Sequence, residues 1–340
     1  MIVNSSAFSY ELIDLGAGVV PKDINNAGMV VGSRHVAEHP AGAFRYSVLD
    51  NHFEDLSGTV ATAVNDAGQV VGNTLTGAFL LAGNTLRTWD EQGAYGINAL
   101  TRVAGNKAGK NPYRPTSTPY NPAVYDSGRW SVMDIAQVYP GGTRQGMYAD
   151  NYLLDDVNDT GYAVGSRHRT GLPGSSAIMI APPYSAVRFA SNVTYLPTPA
   201  GGTASAINNR NIVVGTTGND PRVSAYATAF VYDGSSLTLL DPLPGGLRSS
   251  CMDINESDTV VGSSETGGLN HAFMWNETTG VVDLNGLIDA PRWVLVYATA
   301  LNENGDIVGT GQLDGRDHGF LLVNGARREG SVASPYQFQL

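Results

Sequence analysis

Ser249-Ser250-Cys251-Met252-Asp253-Ile254-Asn255, then Glu256-Ser257-Asp258, then Thr259-Val260-Val261-Gly262-Ser263: two extended runs flank a short polar joint. In other copies the joint reads Asn25-Asn26-Ala27-Gly28 or Asn65-Asp66-Ala67-Gly68, in which Asn or Asp starts a turn and Gly takes its positive-φ position. The phrase recurs seven times, at Asn25, Asn65, Asn98, Asn158, Asn208, Asn255 and Asn302, each followed seven residues later by Gly. Successive Asn residues are 40, 33, 60, 50, 47 and 47 positions apart. A strand-rich unit of that length predicts a closed propeller or a solenoid.

Two further runs complete each unit. His271-Ala272-Phe273-Met274-Trp275 is answered by Ala43-Phe44, Ala78-Phe79, Ala123-Val124-Tyr125, Ala177-Ile178, Ala229-Phe230 and Gly319-Phe320. Val281-Val282-Asp283-Leu284 is answered by Phe53-Glu54-Asp55-Leu56 and Leu239-Leu240-Asp241. The last unit lacks a fourth run, and the missing one stands at the other end of the chain as Tyr10-Glu11-Leu12-Ile13-Asp14-Leu15-Gly16. Closing the ring with that segment removes two exposed sheet edges. The expected fold is all-β, a single seven-bladed propeller of four-stranded antiparallel blades. Its blades fall at about 19–56, 58–90, 94–135, 151–197, 202–241, 249–285 and 297–323 plus 8–15, before a tail at 324–340.

Composition agrees. Gly is abundant at 41 residues, and no stretch keeps helical apolar spacing for three turns. The single Cys251 rules out an internal disulfide and suits a small core residue better than a nucleophile. No run approaches the roughly 20 apolar residues of a membrane span, so no membrane partner is expected. Met1 to Tyr10 has neither a basic start nor an apolar core of leader length, so the expectation is a cytoplasmic protein, or a secreted one with its leader removed.

These units resemble the HAF-repeat family of bacterial proteins, whose pattern is Ile-Asn-x-x-Gly-x-Val-Val-Gly followed by His-Ala-Phe-x-Trp. The match is full at Ile254-Asn255, Val260-Val261-Gly262 and His271-Ala272-Phe273-Met274-Trp275, and it spans Tyr10 to Val323. The resemblance implies a propeller, often extracellular, and no one shared activity.

Function is then sought where the repeat is broken. The seven Asn residues suit turn formation or strand capping; the alternative is a cation-binding ring of Asn with Asp23, Asp156 and Asp253, which precede three of them by two places. With Tyr10 to Gly16 outermost in the last blade, the long connections share one face, called the top. Twelve of the 20 basic residues fall there by this assignment, Lys22 among them, against seven acidic ones, giving about +5 on a chain of net charge −11. That field favours an anionic small molecule or carbohydrate partner over nucleic acid, and the bland reading is solvated arginines.

Within those loops Arg34, Arg114, Arg144, Arg167, Arg292, Arg316 and Tyr113 are candidate ligand-binding residues, since Arg clamps a carboxylate bidentately and Tyr stacks or donates. His35, His168, His318 and Tyr148 are the candidate acid–base residues. His35, His39 and His318, on neighbouring blades, are the candidate ligands of a divalent metal, the one cofactor considered. Standard hydrolase, nucleotide and metalloprotease motifs are absent. Two readings stand: an enzyme of lyase, hydrolase or cyclase type with one top-face site for a sugar acid, or a non-catalytic carbohydrate-binding or protein-interaction propeller. Oligomeric state is left open by the sequence.

Overall fold

Strand pairing in the computed structural model, which describes residues 10–36, 39–108, 120–133, 150–169, 174–184, 189–218 and 226–325, divides the chain into seven four-stranded antiparallel sheets. Blade 1 runs Val19–Ile24, Met29–Val36, His39–Ser47, His52–Asp55; blade 2 Val60–Val64, Val70–Asn73, Gly77–Ala82, Thr85–Asp90. Blade 3 runs Gln92–Ile97, Val103–Ala108, Tyr120–Asp126, Arg129–Val132; blade 4 Asp150–Val157, Ala163–Arg169, Ser175–Ile180, Val193–Tyr195. Blade 5 runs Gly202–Ile207, Val213–Thr217, Thr228–Tyr232, Leu237–Leu240; blade 6 Ser249–Ile254, Val260–Thr266, Leu269–Asn276, Gly280–Asp283. Blade 7 takes Trp293–Leu301, Ile307–Leu313 and Arg316–Asn324, and its outermost strand is the N-terminal Tyr10–Ala17, in register from Tyr10↔Asn324 to Ala17↔His318. The expected seven-bladed propeller and its mode of closure are therefore observed. No helix among the described residues is long and apolar enough to cross a membrane.

The core lies between blades. One cluster joins Leu15, Leu321 and Val323 of blade 7 to Val19, Val30 and Phe44 of blade 1, so the ring is packed as well as paired where the chain ends meet. The repeat Gly has a specific reason in this packing. A Cβ at Gly32, Gly72, Gly105, Gly165, Gly215, Gly262 or Gly309 would come within 1.9–2.2 Å of a carbonyl oxygen on the inner strand, closer than any side chain tolerates. In five blades the residue directly across from that Gly on the third strand is Phe: 44, 79, 230, 273 or 320. All five rings are fully buried, filling the room the missing side chain leaves.

The repeat Asn does two jobs. Its Oδ1 accepts the N–H four residues on in every copy (Met29, Gln69, Arg102, Tyr162, Ile212, Thr259, Asp306), which fixes the hairpin. Its Nδ2 donates to the backbone carbonyl of the equivalent Asn in the next blade: 25 to 65, 65 to 98, 98 to 158, 158 to 208, 208 to 255, 255 to 302, and 302 back to 25. These seven bonds, 2.8–3.3 Å long, form an unbroken circle, and every Asn in it is buried. A second run, open between Asp66 and Ala99, lies on the exposed side: the N–H of Asn26, Ala99, Asp159, Asn209, Glu256 and Glu303 each donates to the side chain at the same position of the following blade.

Replacing Asn255 by Ala leaves buried donors and acceptors unmatched in two blades, for an expected loss of about 3 kcal/mol in urea unfolding. The Glu256→Ala change, one residue away in the exposed run, should cost less than about 1 kcal/mol. Equal losses for the two variants would contradict the assignment of the inner circle as the structural one.

Candidate functional site

Every inner strand carries a β-bulge at the residue three places before the repeat Asn: Lys22, Thr62, Tyr95, Asp155, Ser205, Met252 and Thr299. The residues just before the bulge and just before the Asn are buried in all seven blades, whereas the bulged residue is exposed or half-buried. Adjacent blades cover both faces of the inner strand, so that accessibility is access to the central channel. A bulge re-aims a side chain without disturbing the ladder on either side. The channel wall is thus one variable position per blade, and only blades 3 and 4 place Tyr beside Asp there.

The residue after the bulge is Asp in three blades. Asp23 accepts the N–H of Ile24 and of Val64 in blade 2; Asp156 accepts those of Val157 and Ile207; Asp253 accepts those of Ile254 and Leu301. These carboxyls bridge blades, which the sequence left as a choice between cation ring and construction. Among the described residues no group of three His, Cys, Asp or Glu is placed to hold a metal ion. Packing around the narrow channel raises all three: Asp23 to about 7, Asp156 above the usual carboxylate range, and Asp253 well above it through burial and then the charge of Asp23.

Asp155 differs from these three. No hydrogen bond reaches its carboxyl among the described residues, and burial, with the adjacent Asp156 charge, pushes it up to about 7. Its neighbour Tyr95 reaches upward along its own strand, so that a Cβ on Gly93 would meet the Tyr95 hydroxyl at 2.8 Å. Gly93 pairs with Asn106 in the second strand of blade 3. Asn106 is 2% exposed; its Oδ1 accepts Leu154 N–H of blade 4 at 3.0 Å, while its Nδ2 faces the Tyr95 hydroxyl without a hydrogen bond of good geometry. That amide lies close enough to lower the Tyr95 pKa, yet burial dominates and holds the phenol above its ordinary value, with Asp155 adding to the rise. At the top of the blade 3–blade 4 seam, Tyr120 N–H donates to Asn151 Oδ1 at 2.9 Å. The Tyr95 phenol, with the Asn106 amide against it, and the Asp155 carboxyl are therefore grouped at the blade 3–blade 4 seam, an arrangement that can donate to a ligand oxygen and exchange a proton with it.

The residues singled out from sequence are mostly engaged within their own blades. Arg34 pairs with Asp55 at 2.7 Å and stacks over Phe53; Arg167 donates to the Tyr195 hydroxyl at 3.0 Å and lies over the Tyr152 and Tyr195 rings. Asp55 and Tyr195 stand at equivalent outer-strand positions, so the two Arg-His pairs are placed alike. Arg292 pairs with Asp314, while Arg316 is exposed beside them. His318 contacts Asp14 at 2.9 Å and Trp293 edge-on; His271 contacts Asp283 at 2.7 Å in the same relation, which makes the His of His-Ala-Phe a lock on the outer strand. His168 contacts Ser166 Oγ at 3.0 Å, and burial lowers its pKa.

His35 is exposed, its N–H bonded to Gly18 O, while His318 pairs with Ala17, so the two flank one connection. His39 begins a strand whose first side chains lie outside the described residues, as do Tyr113, Arg114, Arg144 and Tyr148 altogether. Lys22, assigned from sequence to a top loop, is instead the bulged residue of the inner strand Val19–Ile24 of blade 1. Tyr95, Asn106 and Asp155 were missed as a group. Their one sequence signal was that Tyr95 and Asp155 occupy a repeat position held elsewhere by Thr, Ser, Met or Lys.

A carboxyl raised in the fold binds its proton more tightly folded than unfolded, so its contribution is present below about pH 4 and is lost as pH rises towards 7. The Asp155→Asn variant, which removes that titration and breaks no hydrogen bond, should melt higher than the parent at pH 8 and by a smaller margin at pH 5. A margin independent of pH would show that Asp155 ionises normally.

Comparison with known proteins adds the fold and a family. Solved structures of similar fold include an acylaminoacyl peptidase of Pyrococcus horikoshii (8% identity, TM-score 0.56, 89% of this chain and 50% of that one). Another is a puromycin-hydrolyzing peptidase of Mycobacterium tuberculosis (11% identity, TM-score 0.52, 89% and 52%). The likeness is one of fold, and the chain spans about half the length of these proteins. No curated protein matches the chain in sequence. The family described as "Protein of unknown function (DUF3466)" matches residues 156–327, half of the chain, and the chain belongs to it.

Proposed function

We propose that this chain is a HAF-repeat propeller that binds one small polar ligand of the carbohydrate type at the top mouth of its channel, between blades 3 and 4. The observation that carries the reading is the Tyr95 phenol beside the bondless Asp155 carboxyl on the channel wall, with the buried Asn106 amide set against the phenol. A buried polar group without a partner costs roughly 1–3 kcal/mol, and a ligand hydroxyl is what would satisfy the Asp155 carboxyl. Aromatic, amide and carboxyl groups together are the chemistry that holds a sugar, and one such group per ring suits one ligand per protein better than seven.

Asp155, half-protonated near neutral pH, is the group suited to acid–base work if the ligand is turned over. This reading moves the site from the arginine-bearing loops to the channel, because Arg34, Arg167 and Arg292 already have partners. The peptidase activities of the proteins of similar fold lend it no support at 8–11% identity.

Hydrogen-exchange mass spectrometry with a hit from a carbohydrate library tests the location. Protection should rise in Gln92–Ile97, Val103–Ala108 and Asp150–Val157 and stay unchanged in blades 1, 6 and 7. Protection spread evenly over all blades, or confined to blades 5 and 6, would refute a single site at the blade 3–blade 4 seam.

A further inference from the structure

We infer that the site clasps one free hydroxyl group of its ligand: the Tyr95 phenol donates to the hydroxyl oxygen, and the Asp155 carboxyl accepts the hydroxyl hydrogen. Gly96 and Asn106 are the positioning residues that set this pair. The inference rests on the single-site reading above and names the chemical group that the site takes.

Gly96 brings the pair together. It stands two places before the repeat Asn, where the other six blades carry Asp23, Ala63, Asp156, Ala206, Asp253 and Ala300, all with a Cβ. A Cβ at Gly96 would come within 2.8 Å of Asp156 Cα and 2.9 Å of the Asp155 carbonyl oxygen. The inner strands of blades 3 and 4 therefore meet backbone to backbone at this point, the close approach that a strand glycine permits. Tyr95 and Asp155, the bulged residues beside it, are carried to the same seam.

Asn106 sets the direction of the phenol. Its Oδ1 is held by Leu154 N–H of blade 4 at 3.0 Å, so the amide cannot turn over, and Nδ2 is the atom facing the Tyr95 hydroxyl. With an N–H facing its oxygen, the phenol turns its own proton away from the amide. The open side is the channel, where Tyr95 is 37% exposed. The influence of Asn106 has the matching sign: it lowers the phenol pKa, as a donor to the phenolate does, while Asp155 raises it.

Asp155 acts on Tyr95 through its charge, and among the described residues no hydrogen bond joins the two side chains directly. A phenol donor on one side and a carboxylate acceptor on the other are bridged by an atom that accepts and donates at once. An alcohol oxygen does both; an ether, ketone or carboxylate only accepts, and an ammonium only donates. The clasp therefore selects a free hydroxyl of a sugar or other polyol, whatever charge the rest of the ligand carries.

The test uses the full chain at pH 8, above the value of about 7 to which Asp155 is pushed, so that its carboxyl accepts. Glucose, galactose, mannose and glucuronate are titrated by calorimetry, and the tightest binder is followed by its singly O-methylated and singly deoxy analogues. One position should lose binding about tenfold or more on either change. Tyr95→Phe removes the donor. Asn106→Asp keeps the acceptor for Leu154 N–H but draws the phenol proton onto itself. Each should weaken the parent sugar about tenfold, and the double variant should bind about as weakly as either alone. Gly96→Ala alters no polar group, yet it should weaken binding similarly and move the Asp155 titration midpoint, followed by carbon-13 NMR of labelled Asp, towards the ordinary carboxylate range. Parental circular dichroism spectra and melting cooperativity show that the variants fold.

Binding that is lost in Tyr95→Phe but tolerates O-methylation at every position would overturn the hydroxyl clasp and leave the site standing. Unchanged binding in Gly96→Ala, with the Asp155 midpoint unmoved, would overturn the positioning role of Gly96. Binding that Tyr95→Phe and Asp155→Asn both retain, or absence of binding by every sugar, would overturn the site and the clasp with it.

Discussion

Seven asparagine side chains, each bonded to the backbone carbonyl of its counterpart one blade on, close a circle through which every blade is fixed to two others. A side-chain amide can do this and fix its own hairpin because it carries an acceptor and two donors on one short stem. Aspartate would lose the donor, and Gln would move both groups out by a methylene. The spacing of seven to the repeat Gly follows from the same geometry. Once the hairpin is set, the inner strand bulges, its backbone presses onto the second strand, and only a residue without Cβ fits at the point of closest approach.

That bulge is also what gives the fold a place to vary. Residues that pack between blades or complete the Asn circle cannot change freely, but the bulged residue faces the channel and belongs to no core. Seven such positions, each aimed by the same backbone feature, make a rigid rim whose chemistry is set one side chain at a time. Threonine at two of them uses the position structurally: Thr62 and Thr299 donate to the carbonyls of Ala94 and Pro21 in the following blades. Asp155 stands in the same place with a carboxylate, which cannot donate unless it carries a proton. Its raised pKa and its want of a hydrogen bond are two views of that one substitution.

The fold was legible in the sequence because its constraints are local and periodic. Asn255, Gly262 and Phe273 each announce a backbone requirement at a fixed offset, and the unpaired Tyr10–Ala17 strand announces how the ring closes. The interblade half of the Asn role was not legible, since a donor directed 33 to 60 residues away, or 277 where the ring closes, leaves no trace in the spacing of its own hairpin. Site residues read from loop charge fared differently. Arg34 and His318 looked unattached only because Asp55 and Asp14, their partners, are brought beside them by strand pairing. Tyr95 and Asp155 are 60 residues apart and meet because blades 3 and 4 are neighbours around the ring; the Asn106 donor is notable only once its surroundings are known.

Side-chain amide exchange by nuclear magnetic resonance addresses the central claim most directly. If the seven asparagines form one closed circle, their Nδ2 resonances should all be strongly protected and should exchange together, at the rate of global unfolding. Asn151 and Asn276, outside the circle, should exchange quickly. Protection that differed from blade to blade, with some repeat asparagines exchanging like surface amides, would mean that the blades are held independently and that the circle does not govern the fold.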